Sequence, residues 1–375
     1  MTLIARSFCA LLGAGFSVAC LAAVPLTDRL DRPSQSSVMA TRSPLTAVQP
    51  VAGRLVMVGE SGHVLVRQAD GSVQQAQVPV DLLLTAVHFP DAQHGWVVGH
   101  DGVVLHSDDG GSTWRKQLEG KTIAALMLTA AQEQLEQAQA ASDAAPTDQV
   151  LSTALDNASF AVDDAQAGVD QGGSRPLLDV WFRTASEGWA VGAYGMFVHT
   201  TDGGANWRYI TTLNNPERLH LNAIVGLPSG ELLVAGEGGR VYRSLDNGQH
   251  WSEATQLSKA SLYKLLPLAD GRVLALGFGG SLFSTADHGS SWKSLTVPTQ
   301  ASLYGGQQLA DGSVLLVGQG GALLRSRDGV QFSVLPSPVK APWMGVAEGA
   351  DKQLVLIGSG GMQAVPMATL SGAAQ

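Results

Sequence analysis

Four stretches of this sequence place a carboxylate at the same point of one pattern: Ser107 to Trp114, Thr200 to Trp207, Ser244 to Trp251 and Thr285 to Trp292 all read Ser/Thr-x-Asp-x-Gly-x-x-Trp. Carboxylates paired across a substrate are the chemistry of glycoside hydrolysis, and clustered ones the chemistry of a calcium site. The spacing argues for neither. An Asp with a hydroxyl two residues before it and a glycine two residues after it makes a turn. Asp109, Asp202, Asp246 and Asp287 can accept hydrogen bonds from turn N–H groups, and Gly111, Gly204, Gly248 and Gly289 can take positive φ. Trp114, Trp207, Trp251 and Trp292 can then pack as apolar plugs. One carboxylate per turn is expected to be structural.

Other chemistry-bearing residues are equally spread. His94, His100 and His106 recur at intervals of six, which on a strand, turn and strand puts them at different heights, whereas metal ligands must converge at about 2 Å. Seven G-x-x-G turns begin at Gly59, Gly99, Gly192, Gly236, Gly277, Gly318 and Gly358. No helix follows them to offer its N-terminal N–H groups to a phosphate, so they are hairpin turns. Their variable positions should form a ring on one face, and chemically diverse residues on a repeated frame are where specificity sits. The candidate binding face is therefore Glu60, His100, Asp101, Tyr194, Glu237, Arg240, Phe278 and Gln319. Arg240, Arg243, Arg325 and Arg327 flank third strands, as solubilising surface or as contacts to an anionic peptide or carboxylate. No catalytic residue, cofactor or metal ligand is assigned.

The elements that must position these turns are a repeated unit. The first glycines are spaced 40, 93, 44, 41, 41 and 40 residues apart, a period of about 41 with one insertion of about 52. Each unit holds an apolar strand, a second strand ending in the glycine turn, a third strand, and a short fourth strand after the Asp turn. Four short antiparallel strands per unit make a propeller blade. The fold class is all-β, a seven-bladed β-propeller over residues 36–368, with an α-helical hairpin inserted between blades 2 and 3. The last unit has three strands of its own, so residues 36–42 are expected to supply its fourth strand and remove an open edge.

The insertion, residues 120–176, is Ala- and Gln-rich. Ile123, Met127, Ala131, Leu135 and Ala138 follow a helical spacing, as do Leu151, Leu155, Ala158, Val162 and Ala165, predicting helices over 121–141 and 148–167. From Glu119 to Pro176 there are nine acids and two bases, 9 − 2 = 7 of the net charge of −9, so the propeller itself is nearly neutral. The hairpin should share a face with the variable turns. It reads as a solvated decoration or as a partner-docking arm outside the propeller core.

Forty-four glycines among 375 residues and only 15% charged residues suit turns and β-structure, and 45% hydrophobic residues exclude a disordered chain. The net negative charge argues against a nucleic-acid partner. Residues 1–23 read as an export signal, with Arg6 before the apolar run from Phe8 to Leu21 and Ala22-Ala23 before a cleavage point, so the mature chain is expected in the periplasm. An uncleaved anchor is one alternative, and a lipoprotein through Ser17-Val18-Ala19-Cys20 another. Both cysteines, Cys9 and Cys20, lie in this segment, leaving the rest of the chain without a thiol. Residues 24–35 read as a flexible leader and 369–375 as a tail.

The Asp turn resembles the Asp-box, or bacterial neuraminidase repeat. The blade pattern resembles the bacterial branch of the photosystem II stability/assembly factor family over roughly residues 45–368, a span longer than a usual domain, as closed all-β folds can be. The resemblance rests also on Arg175-Pro176-Leu177-Leu178-Asp179-Val180-Trp181-Phe182 leading into Gly188-Trp189-Ala190-Val191-Gly192, and on Thr201 to Trp207. It implies a non-enzymatic scaffold that helps a membrane protein complex assemble; the expected partner is an envelope or membrane protein complex, and the chain itself is expected to be a monomer. A sialidase-like glycoside hydrolase also uses Asp-boxes on a propeller. It would need an arginine cluster and a Tyr nucleophile from among Tyr194, Tyr209, Tyr242, Tyr263 and Tyr304, and the Arg-Ile-Pro opening of that family is absent. A simple carbohydrate- or peptide-binding propeller is the third reading.

Overall fold

A computed structural model describes residues 28–254 and 256–367. Its strands form seven antiparallel sheets in which every strand pairs with its sequence neighbour, six sheets of four strands and one of three among the described residues. Blade 2, for example, is Leu84–His88, Gly95–Gly99, Val104–Ser107 and Arg115–Leu118. The inner strands stand side by side around an axis, and the first, Leu45–Val51, lies against the last, Trp343–Glu348. The chain is a seven-bladed propeller.

Burial explains why each strand reads as it does. Second strands are covered by both neighbouring blades, and Gly95–Gly99, Leu232–Gly236 and Val314–Gly318 are buried at every residue. Hence they are continuous apolar runs without alternation. Fourth strands face solvent and shrink to two residues at Ser252–Glu253 and Lys293–Ser294.

The first glycine of each G-x-x-G turn serves close approach. A Cβ at Gly99 would fall 2.5 Å from the Leu83 carbonyl oxygen, and the next amide, that of His100, donates to the same oxygen at 2.9 Å. The strand therefore hugs the start of its own inner strand before turning. The residues after it form a short 3-10 turn whose middle residue is left-handed, such as Asp101 at φ 54°.

Inner strands are laced to one another by side chains. Thr46 Oγ1 donates to the Leu84 carbonyl at 2.6 Å, Thr85 Oγ1 to Leu177 at 2.7 Å and Asn222 Nδ2 to Leu262 at 2.8 Å. Further along, Gln49 and Phe89 exchange two bonds between blades 1 and 2, and the Glu348 amide donates to Gln307 Oε1 at 2.7 Å.

Ring closure differs from the sequence expectation. Residues 36–42 do not form the fourth strand of blade 7, which is Trp343–Glu348, Gln353–Gly358 and Gly361–Pro366. Instead Ala40–Arg42 is a 3-10 turn packed beside Gly361–Pro366, with Ala40 buried among Leu45, Met57 and Ile357. The segment before it is committed to blade 1. The Ser37 amide donates to Gln75 Oε1 at 3.0 Å, and Gln75 Nε2 donates to the Gln35 carbonyl at 2.9 Å. Closure comes from that shared core and from Arg67 of blade 1, which is 4% exposed and forks onto Asp351 of blade 7 at 3.1 and 2.6 Å. Such a two-pronged guanidinium–carboxylate pair fixes orientation as well as distance.

The leader is likewise corrected over its described part. Residues 28–35 are a strap: Leu30 is buried, Arg29 donates to the Asp81 carbonyl at 2.6 Å, and the Ser34 amide donates to Val78 at 3.0 Å. Lys116 Nζ donates to the Leu30 carbonyl at 3.2 Å and to Asp31 at 3.0 Å. The sequence reading missed it because its alternation of charge and proline carries no strand or helix period. The export signal, the rest of the leader and the tail lie outside the described residues.

The insertion forms helix α1, Gly120–Ala144, and helix α2, Gln149–Asp170, the latter capped by Asp148, whose carboxylate accepts from the Val150 and Leu151 amides. Gly120 and Gly173 cross at the neck, where a Cβ on Gly120 would fall 1.7 Å from the Gly173 carbonyl oxygen. Contrary to expectation the base belongs to the core: Ile123, Met127, Ala131 and Ala165 are buried with Val104, Leu118, Leu177 and Met196. The reason is that Gly102 offers no side chain, so the first turn of α1 settles onto the blade 2 turn. Among the described residues no helix is long and apolar enough to cross a membrane.

Candidate functional site

The Asp turns and the G-x-x-G turns lie at opposite ends of the third strands. In the Asp turn of blade 3, Thr200 Oγ1 donates to Asp202 Oδ1 at 2.9 Å and accepts from the Gly204 amide at 2.9 Å. Asp202 also accepts from the Asn206 amide at 2.9 Å and from Asn206 Nδ2 at 2.7 Å. Blades 2, 4 and 5 repeat this with Asp109, Asp246 and Asp287. Blade 6, degenerate by sequence, keeps the hydrogen bonds through Ser326 and Asp328 and puts Phe332 near the place of the Trp.

Backbone and side-chain donors from Asn206 hold Asp202 at about 2, and those from His250 hold Asp246 at about 2. The Ser291 hydroxyl and amide hold Asp287 at about 2, and the Gln331 and Val330 amides do the same for Asp328. A carboxylate saturated by its own turn is a poor general acid and has few lone pairs left for a cation. Trp114 closes the turn by donating to the Gly111 carbonyl at 3.0 Å, and Trp251 likewise to Gly248 at 3.2 Å.

The three spaced histidines do not converge. His106 is buried under Trp96, ring centres 4.4 Å apart, and burial with the Arg115 charge lowers it to about 4. His94 stacks over it at 6.1 Å and engages Asp91 at 2.9 Å, while His100 sits on the turn at the far end of the blade. The same arrangement recurs in blade 3, where His199 stacks on Trp189 at 4.5 Å. Among the described residues no group of three or more His, Cys, Asp or Glu could hold a metal ion.

At the opposite end, the candidate residues occupy equivalent places on successive turns. Glu60, His100, Phe278 and Gln319 are exposed there, one to a blade, and Asp101 is half-buried beside the start of α1. No hydrogen bond, ion pair or ring contact joins these five to one another among the described residues. Tyr194 and Glu237 do come together, around a residue the sequence reading did not single out, while Arg240 is engaged elsewhere. His220 lies 5.0 Å from the Tyr194 ring, its Nδ1 accepts from the Tyr194 amide at 3.3 Å, and its own amide donates to Glu237 Oε2 at 3.1 Å. Arg240 bridges Glu217 at 3.0 Å and Glu253.

Over the Tyr194 ring also lies Arg175 at 4.9 Å, anchored on Asp164 of α2, which also receives Arg218 at 3.2 Å. The hairpin base and the blade 3 turn thus form one charged, aromatic patch. Tyr194 is held at φ 56°, where blades 4 to 6 carry Gly238, Gly279 and Gly320. Holding a bulky side chain in the left-handed region costs about 1 kcal/mol or more, and such outliers concentrate where a side chain must be presented.

A second polar cluster lies on the ring axis. Asp179 of blade 3 is 4% exposed, accepts from the Ile224 amide at 3.1 Å and pairs with Lys264 of blade 5 at 3.3 Å. Nearby His88 accepts from the Phe182 amide at 3.1 Å, and burial with the Lys264 charge lowers it to about 3, so it is neutral. The signal for this pair was present in the repeats. At the corresponding inner-strand position the other blades carry Ala47, Ala86, Ala223, Gly305 and Gly345.

Asp-turn repeats on a closed seven-bladed ring define the protein as a propeller of the Asp-box class. Within that class the chain belongs to the family described as photosynthesis system II assembly factor YCF48, whose model matches residues 66–132 and 167–325. It is 25% identical over 166 residues to the photosystem II assembly lipoprotein Ycf48 of Synechococcus sp. (strain CC9902), a match covering 44% of this chain and 34% of that protein. It is 45% identical over 42 residues to the chloroplastic photosystem II stability/assembly factor HCF136 of Guillardia theta, 11% of each chain. The matches therefore span about a third and about a ninth of these two relatives' lengths.

Among solved structures it is similar to YCF48 bound to D1 peptide, with TM-score 0.57, 16% identity, and coverage of 91% of this chain and 98% of that one. YCF48 from Cyanidioschyzon merolae gives TM-score 0.57 at 14% identity, covering 89% and 98% of the two chains. The WD40 β-propeller domain of Doa1 gives 0.58 at 9%, covering 90% and 95%. Since a WD40 ring superposes as well as the YCF48 rings, these likenesses establish the architecture, and the family rests on the sequence match.

Proposed function

We propose that the chain is an exported, non-enzymatic scaffold that holds a segment of a membrane protein complex while the complex assembles or is stabilised, using the face of the G-x-x-G turns. One observation carries this reading. Among the described residues of the propeller, the two exposed large aromatic side chains are Tyr194, 49% exposed, and Phe278, 57% exposed, and both stand on that ring of turns. Aromatic anchors on a rigid frame lose little freedom on binding and dominate protein interfaces.

Family membership supports the role, since a relative is described as a photosystem II assembly lipoprotein and a YCF48 structure contains a D1 peptide. The lipoprotein description also supports placement in the envelope, in keeping with the export signal read from residues 1–23. The Asp turns support the non-enzymatic part, because their carboxylates are consumed by their own backbone.

The test is site-specific photo-crosslinking in the host. A benzophenone amino acid placed at Tyr194 or at Phe278 is expected to give an adduct with one and the same membrane protein. The control position, Leu245 on the Asp-turn face, is exposed and should give none. Adducts from Leu245 alone would overturn the assignment of the face.

A further inference from the structure

The distal half of the hairpin has no support from the propeller and a groove of its own. Helix α1 is about 37 Å long at 1.5 Å per residue, and its buried contacts with the blades end at Ala131. Beyond that point α1 has no buried residue, and it runs beside α2. Between them runs an open groove with Leu135 and Leu155 on its floor and Glu136, Asp143 and Asp156 on its walls. From residue 132 to residue 160 there are five acids, Glu133, Glu136, Asp143, Asp148 and Asp156, and no Lys or Arg. None of the three wall carboxylates has an ion-pair partner among the described residues, although Gln139 donates to Asp143 at 2.8 Å. Phe160, four residues after Asp156 and so its neighbour on the helix surface, is 67% exposed.

The two segments matched by the family model leave out residues 133–166.

We infer that the distal groove binds an amphipathic helix of a partner that carries Lys or Arg on both flanks of a Leu-type stripe. The inference rests on the reading of the chain as a client-holding scaffold and adds a second contact to it. A third helix is the natural occupant, since an apolar stripe between two helices accepts the ridge of another. The wall from Glu136 to Asp143 is about two turns long, matching two leucines at helical spacing. The charge chooses the partner. A second copy of this chain would press three wall carboxylates against three, whereas a basic flank pairs with each wall and desolvates the floor. A client gripped at both the groove and the turn face would be held bivalently, each contact raising the local concentration for the other.

The probe is a fluorescent synthetic helix with leucines at every third or fourth position and lysines between them, titrated into the full chain. It is expected to bind, and a peptide of the same composition with the leucines scrambled out of register is expected to bind about tenfold more weakly or worse. The triple variant Glu136→Lys, Asp143→Lys, Asp156→Lys, all at solvent-facing helical positions, should lose about tenfold and gain affinity for a Leu/Glu peptide. The neutral variant Glu136→Gln, Asp143→Asn, Asp156→Asn should fall between, and circular dichroism verifies that both remain helical.

Equal binding of the scrambled peptide would reduce the effect to bulk charge and overturn the groove. So would unchanged affinity in the variants, or a concentration-dependent dimer abolished by them. The variant Tyr194→Ala, Phe278→Ala should keep peptide binding. If benzophenone placed at Tyr194 and at Phe278 gives no adduct in the host while the peptide still binds, the turn-face reading fails and the groove stands.

Discussion

The two ends of the third strands solve different problems. At the Asp-turn end, blades 2 to 6 use one device: a hydroxyl and a carboxylate satisfy the turn amides, and little is left over to meet another molecule. At the G-x-x-G end the backbone is as regular, with six 3-10 turns of nearly identical dihedrals, yet the side chains run from Glu60 and His100 to Tyr194 and Phe278. The difference shows which constraint acts where. Repetition marks atoms that the fold consumes, and variation on a fixed backbone marks atoms it leaves for something else.

The hairpin contains the same division within one element, a buried base and a polar tip, and offers the strongest way to sharpen it. Ile123→Ala should destabilise the chain by about 3 kcal/mol, because a fully buried side chain is removed from the seam between blades 2 and 3. Replacing residues 133–158 by a short Gly/Ser linker should change stability by well under 1 kcal/mol, as that stretch has no contact with the propeller core. Denaturant titration of both separates them, and equal losses would merge base and tip into one unit.

Ring closure comes next in size. Arg67→Ala removes a buried guanidinium and leaves Asp351 without its partner, at a cost of about 2 kcal/mol. The double variant Arg67→Ala, Asp351→Ala should lose less than the sum of the singles. Additive losses would mean that the pair does not fasten blade 1 to blade 7.

Acid should act on one face selectively. Asp202, Asp246, Asp287 and Asp328 titrate at about 2 in the folded chain against an ordinary 3.8. The unfolded chain therefore binds more protons in that interval, and stability present above about pH 4 is lost as pH falls towards 2. Replacing these residues by Asn should flatten the acid limb of the stability profile, and an unflattened limb would place its origin elsewhere.

The smallest stability effect is expected at Tyr194. Tyr194→Gly exchanges left-handed strain for lost contacts with Arg175 and His220, so the net change should stay within about 1 kcal/mol. A large loss would make Tyr194 a structural residue like the Asp-turn aspartates.

Much of this was legible in the sequence because repeats average out local ambiguity. Four aligned Asp turns and seven glycines located every blade, and the 3.6-residue periodicity located both helices to within three residues at each end. Residues 28–42 were misread because a strap bound by side-chain and backbone hydrogen bonds has no periodic signature. His220 and Arg175 were missed for a related reason. Both lie in segments that lead into an inner strand, where side chains differ from blade to blade; the hairpin neck brings Arg175 to Tyr194, and the start of blade 4 brings His220. Asp179 and Lys264 could have been found by asking which inner-strand positions break the small-residue rule, a question about deviation from the repeat.

The central claim is that one face is scaffold and the other holds the client. The most direct measurement sets two double variants side by side, Tyr194→Ala with Phe278→Ala, and Asp202→Ala with Asp246→Ala, scoring Tm and the yield of the crosslinked or co-purified membrane partner per folded molecule. The turn-face pair is expected to lose the partner at unchanged Tm, and the Asp-turn pair to lower Tm while each folded molecule still captures it. The reverse pattern, partner lost with the aspartates at unchanged Tm and retained without the two aromatic rings, would contradict the account.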